Sequence, residues 1–121
     1  MKIWKIGVLV EDLKAAEAFY AGVLGMEVIS RGPGAIYLDA GGVRLELIPK
    51  ETYLFRDDER LGKLGIHHLS FEVDDIQEET RKLKQEGVTF LRDPYVRREG
   101  LQLAFLDGLN NVNLQLYDDK R

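Results

Sequence analysis

Apolar and polar positions alternate along IWKIGVLV (3–10), the period of a half-buried strand. Asp12 then opens a stretch in which Leu13, Ala16, Phe19, Tyr20, Val23 and Leu24 recur at helical spacing. Asp12 suits the N-cap of that helix, and Gly25 is placed to end it in the left-handed conformation. Three short strands are predicted next: MEVIS (26–30), AIYLD (35–39) and VRLELI (43–48). Gly32-Pro33-Gly34 and Ala40-Gly41-Gly42 mark the turns between them.

The same order then recurs. HHLSFEV (67–73) reads as a strand, and Asp75 with Glu78 forms a capping-box pattern ahead of a helix that Gly87 stops. Strands are predicted at VTFL (88–91), LQLAFL (101–106) and VNLQLY (112–117), with an irregular stretch, RDPYVRREG, after the first. The halves superimpose residue by residue: Lys5–Val10 on His68–Val73, Asp12 on Asp75, Gly25 near Gly87, Tyr37–Asp39 on Phe105–Asp107, and Leu45–Ile48 on Leu114–Tyr117. The chain therefore reads as an α+β protein of two βαβββ modules, 1–48 and 64–118, joined by the linker 49–63 within a single domain.

Alternation assigns faces. Ile6, Val8 and Val10, with Leu69, Phe71 and Val73, are expected toward the helices, together with Leu45, Leu47, Leu114 and Leu116. Lys5, Glu46, His68 and Gln115 then share the opposite face, with Arg44, Glu72, Asn113 and Tyr117. A sheet curved toward that face gathers these polar groups into a site. A flat one leaves them as an ordinary solvated surface. The two histidines are adjacent, so they point oppositely. His68 falls on the polar face, and His67 on the helix side as a hydrogen-bonded histidine at the core edge.

Composition narrows the chemistry. The net charge of −4 and pI near 5.2 argue against a nucleic-acid partner. No apolar run approaches the roughly 18 residues of a membrane span, and MKIWKIGVLVED does not read as a signal peptide. The absence of cysteine removes disulfides, thiolate zinc sites and thiol nucleophiles, in keeping with a cytoplasmic protein. Ser30 and Ser70, the only serines, lie in no G-x-S-x-G motif, and no P-loop or dinucleotide fingerprint is present.

The openings KIGVLVEDLKAAEAFYAGVLGMEV and GIHHLSFEVDDIQEETRKLKQEGV, with the strand endings VRLELIP and VNLQLYD, resemble the vicinal oxygen chelate superfamily. That group includes glyoxalase I, methylmalonyl-CoA epimerase, extradiol dioxygenases and bleomycin-resistance proteins. The resemblance covers nearly the whole chain. It implies paired βαβββ modules whose mixed sheets curl around one cleft, and a homodimer. It also implies, in metal-dependent members, one ligand from the first and last strand of each module. By position these are Glu46, His68 and Gln115, with Lys5 in the fourth place. Such a set suits Zn, Ni, Co, Mn or Fe.

Lys5 departs from the family pattern. A lysine ammonium about 4 Å from a unit charge interacts by roughly 4 kcal/mol at an effective dielectric near 20, and a dication doubles that repulsion. Deprotonating it costs roughly 4 to 5 kcal/mol, against structural metal sites worth ~10 kcal/mol or more. With Lys5 pairing with Glu46 in place of a metal, the resemblance to bleomycin-resistance-type members implies a protein that binds or sequesters a small organic compound. A metal-dependent lyase, isomerase or dioxygenase acting on vicinal oxygens is the alternative, with a regulatory module as a third reading. Glu46 and Glu72 are candidate proton-transfer groups. Arg44, Arg97, Arg98 and Tyr117, with Lys5, are candidate ligand contacts, the two neighbouring arginines suiting an anionic group. Tyr53, Phe55 and Tyr95 either line the opening or pack the linker.

Overall fold

A computed structural model describes residues 1–121. It has the expected α+β character, with eight strands and two α-helices. The chain divides into two compact units, residues 5–67 and residues 1–4 with 68–121. The first contains β1 (Lys2–Val10, from Lys5 on), α1 (Leu13–Glu17), a π-helical segment (Ala18–Val23), β2 (Glu27–Gly32), β3 (Ala35–Asp39) and β4 (Arg44–Pro49). The second contains β5 (Gly65–Glu72, from His68 on), α2 (Ile76–Gln85), β6 (Phe90–Arg98), β7 (Leu101–Asp107) and β8 (Asn113–Asp119).

The strand order β2-β3-β4-β1 in the first unit is repeated as β6-β7-β8-β5 in the second. The last strand of each order lies parallel to its neighbour (β1 with β4, β5 with β8), and all other pairs within each unit are antiparallel. Register repeats as well. Gly7 is partnered with Glu46 as Ser70 is with Gln115, and Tyr37 with Glu46 as Phe105 is with Gln115.

Helix-side alternation has the expected consequence. Val8, Ile36, Leu38, Leu45 and Leu47 form one core, with Leu13, Ala16, Tyr20 and Met26 packed onto it. Ile76, Ala104, Leu106 and Leu116 form the other, with Leu83, Val88, Phe90 and Leu114. Each fully buried leucine contributes roughly 1.5–3 kcal/mol, which holds the helix on the sheet and the register in place.

The two helices differ. Asp12 accepts the amide of Ala15, and Asp75 that of Glu78, as the N-cap reading required. From Asp75 to Gly87 the chain takes 12 steps, and from Asp12 to Gly25 it takes 13. The extra residue is absorbed as the π-helical segment, where the Leu24 amide reaches back to the Phe19 carbonyl. Both ends stay in register, and Gly25 and Gly87 both take positive φ as terminators. One consequence was not expected from helical spacing: Phe19, Val23 and Leu24 are exposed. The capping box is also only half realised. The Glu78 carboxylate is bonded to Arg81 one turn on.

One further expectation needs correction. The irregular stretch RDPYVRR belongs to strand β6 (Phe90–Arg98), so Arg97 and Arg98 lie on a strand and not in a loop. Its register shifts three times against β7. It is the outermost strand of its unit, where Pro94 is tolerated without a missing ladder bond. The linker is folded. After a 3₁₀ turn (Lys50–Thr52) it winds through successive turns, and Asp58 accepts the amides of Arg60 and Leu61 through its side chain and that of Gly62 through its carbonyl. A side chain at position 62 would lie 2.3 Å from the Arg56 carbonyl, which requires glycine there. No helix in the chain is long and apolar enough to cross a membrane.

Candidate functional site

The face opposite the helices is not the solvated sheet surface that alternation alone allows. In the first unit, Lys5 is 3% exposed and Glu46 8%. Lys5 Nζ lies 2.5 Å from Glu46 Oε1. The Tyr37 hydroxyl donates to Glu46 Oε2 at 2.9 Å, and Lys5 Nζ sits 5.7 Å from the centre of the Tyr37 ring. The register explains the cluster. Glu46 on β4 stands beside Gly7 on one side and Tyr37 on the other, and Lys5 lies two residues before Gly7 on the same face of β1. An ion pair this far from solvent draws its strength from low dielectric and from the added hydroxyl bond.

In the second unit, His68, Ser70 and Gln115 are buried on the corresponding face. The Ser70 hydroxyl donates to Gln115 Oε1 at 2.7 Å. The His68 ring meets Phe105 edge-on at 5.5 Å. Phe105 occupies the repeat position of Tyr37 and lacks its hydroxyl, and Ser70 takes the place of Gly7. The donor to the central polar side chain has therefore moved from one flanking strand to the other. Tyr37 and Ser70 did not emerge as site residues from the sequence. Their inward phase on β3 and β5, matching that of Glu46 and Gln115, was the available signal.

The remaining candidates are placed as follows. Tyr117 is buried against Trp4, ring centres 5.4 Å apart, in an apolar cluster with Leu101, Leu103 and Tyr95. Glu72 ends β5 exposed. Arg44 opens β4 half-buried, opposite Asp39. Arg97 and Arg98 are exposed at the end of β6. Asp119 is held down to about 2, first by the Arg121 side chain, with Arg98 a minor contributor.

His67 is buried, as a core-edge histidine should be, but the linker and not a helix covers it. Its Nε2 lies 2.6 Å from the Leu61 carbonyl, and the Tyr53 ring stands edge-on to it at 5.0 Å. Since a carbonyl can only accept, Nε2 carries the proton. Burial lowers the His67 pKa, against the raising effects of the Leu61 carbonyl, Glu46 and Asp58. Tyr53 also packs on Phe55, so these linker aromatics are packing groups. No group of three or more His, Cys, Asp or Glu side chains is arranged to hold a metal ion.

Comparison with known proteins agrees with this architecture. Residues 2–110 match the model of the Glyoxalase/Bleomycin resistance protein/Dioxygenase superfamily. An uncharacterized Bacillus subtilis protein, YqjC, is 30% identical over 95% of this chain and 90% of its own length. Mouse mitochondrial methylmalonyl-CoA epimerase is 30% identical over 75% of this chain, and the match spans 60% of that enzyme. Among solved structures, the hypothetical protein BH1468 from Bacillus halodurans superimposes with a TM-score of 0.79 at 27% identity, covering 99% of this chain and 95% of that one. A Streptomyces coelicolor methylmalonyl-CoA epimerase variant, in complex with 2-nitronate-propionyl-CoA, superimposes with a TM-score of 0.73 at 23% identity, covering 100% and 99%. The chain belongs to the glyoxalase/bleomycin resistance/dioxygenase superfamily.

Proposed function

We propose that this chain binds a small organic compound without a catalytic metal. One observation carries the reading: the ammonium of Lys5 sits 2.5 Å from Glu46, the carboxylate that the family resemblance assigns to metal ligation. The other oxygen of Glu46 accepts from Tyr37, and the oxygen of Gln115 accepts from Ser70. A divalent ion would have to displace these donors and sit beside an ammonium, at a repulsion of several kcal/mol. The donor set does not fit a divalent metal.

The test is metal content in protein purified without an affinity tag, for the native chain and for Lys5→His. The reading expects no stoichiometric metal in the native protein and a gain of about one per chain in the variant. One metal per native chain would overturn it.

The kinship with methylmalonyl-CoA epimerase favours a second reading, proton transfer on an acyl-CoA. Glu46 is then the base, and the neighbouring Lys5 ammonium stabilises negative charge developing on the substrate. This version predicts solvent deuterium entering the α-carbon of methylmalonyl-CoA, and loss of that exchange in Glu46→Gln. Exchange no faster than in buffer removes it.

A further inference from the structure

The two helix–sheet layers are built on one plan but are not equally filled. Tyr20 and Met26 cover the first, and the same repeat positions in the second hold the smaller Leu83 and Val88. The backbone marks the equivalence: the Met26 amide bonds the Tyr20 carbonyl, and the Val88 amide bonds the Leu83 carbonyl. Val8 and Leu45 are buried, whereas their counterparts Phe71 and Leu114 are only half-buried. A cavity of about 540 Å³ fills the difference, bounded by α2, β5 and the β7–β8 hairpin. That volume lies within the ~300–1,000 Å³ of ordinary small-molecule pockets.

The chemistry of the walls is uneven. Phe71, Leu83, Val88, Leu106, Leu114 and Leu116 make the interior apolar. Two carboxylates, Glu86 after α2 and Asp107 at the end of β7, are the ionisable side chains of the wall. Met1, itself largely exposed, also borders the pocket, with a flexible thioether able to adapt to what enters. This pocket lies on the helix side of the second sheet, opposite the face that holds His68, Ser70 and Gln115.

We infer that this cavity is a second binding site, for a compact apolar molecule carrying a single ammonium group. The hydrocarbon body takes the place that Tyr20 and Met26 fill in the first unit. The ammonium lies at the acidic rim, toward Glu86.

The decisive experiment titrates the full chain with 1-aminoadamantane, adamantan-1-ol and adamantane-1-carboxylate, which share one body and differ in the head group. Methyl resonances of Leu83, Val88, Leu106, Leu114 and Leu116 are followed by NMR. The amine is expected to shift these resonances saturably near ~1 mM, the affinity a ligand of this size reaches at ordinary efficiency. It should bind about three- to fivefold more tightly than the alcohol, with the carboxylate weakest, as an exposed charge contact allows. Leu83→Tyr, which copies the first unit, should abolish the shifts at the remaining positions. Should that variant fail to fold, Val88→Met fills the same space more gently and should weaken binding by about tenfold. Absence of saturation for all three compounds, or saturation that maps elsewhere, overturns the site. Carboxylate binding as tight as the amine overturns its assignment to cations.

Discussion

Glu46 and Gln115 occupy one position of the repeat and live in opposite electrostatic worlds. Glu46 is charged, paired with Lys5 and steadied by Tyr37 from β3. Gln115 is neutral, lies in a layer with His68 and Phe105, and takes its hydroxyl donor, Ser70, from the parallel strand β5. Backbone register is the same in both, because apolar alternation toward the helices sets it. The inward polar positions carry none of that burden. They could therefore diverge into an ion pair on one side and the uncharged Ser70–Gln115 hydrogen bond on the other.

The largest test of this contrast is Lys5→Met against His68→Met. Removing Lys5 takes the countercharge from a buried carboxylate, and breaking such a pair costs about 3–5 kcal/mol. Removing His68 forfeits an edge-on aromatic contact and some packing, about 1–2 kcal/mol. Urea unfolding should rank the two in that order. The double variant Lys5→Met/Glu46→Leu should recover most of the first loss, because it deletes the charge along with its partner. If the double variant is no more stable than Lys5→Met alone, the pair is not the origin of the cost.

A smaller pair of changes asks where each central side chain gets its hydroxyl. Tyr37→Phe makes the first unit resemble the second and removes a bond to a carboxylate, at about 1.5–3 kcal/mol. Ser70→Ala removes a neutral bond to an amide, at about 0.5–1.5 kcal/mol. Equal losses in denaturant midpoints would mean that the charge on Glu46 does not strengthen its bond to Tyr37.

Much of this was legible because a repeat doubles every signal. Asp12 and Asp75, Gly25 and Gly87, and the paired leucines of β4 and β8 confirm one another. The errors fall where the halves stop matching. RDPYVRR reads as irregular because Pro94 and a mixed polar pattern conceal a strand, and only the pairing with β7 reveals it as an edge. Phe19, Val23 and Leu24 look like core at a 3.6-residue period, and the π-helical segment rotates them outward. Tyr37 escaped notice because a lone tyrosine on a strand is ordinary until its register against Glu46 is known. His67 was correctly read as structural, but its covering linker has no periodicity that would announce a folded turn stack.

His67 gives the linker a pH dependence. Burial lowers its folded pKa below the ordinary 6.5, so the fold favours the neutral ring. The sign follows: the unfolded chain binds the proton first. The stability His67 contributes is complete above pH 6.5 and is lost as pH falls toward the lowered folded value. Glu46 and Asp58 favour the cation and temper the loss, and Lys5 deepens it. The melting temperature should therefore drop as pH falls below 6.5 toward the lowered folded value. His67→Gln should flatten that drop. An unchanged pH profile in the variant would place the sensitivity elsewhere.

The mildest intervention removes one residue. If the π-helical segment exists because Asp12 and Gly25 are 13 steps apart where Asp75 and Gly87 are 12, deleting Gly22 should convert it to continuous α-helix. Gly22 is exposed, and apart from its chain neighbours and the helix backbone no atom lies within 4 Å of where its side chain would be, so nothing is torn from the core. The deletion removes a poor helix former, worth about 1 kcal/mol relative to alanine, and restores i to i+4 bonding through the segment. Against this, Phe19 and Tyr20 must adjust their edge-on contact at 5.3 Å. The net change expected is between zero and about 1 kcal/mol of added stability, with stronger protection of the Leu24 and Met26 amides from exchange. A loss above ~2 kcal/mol would show that the π geometry is required to seat Tyr20 and Met26 on the first core, and that the unequal filling of the two layers depends on backbone shape as well as on side-chain size.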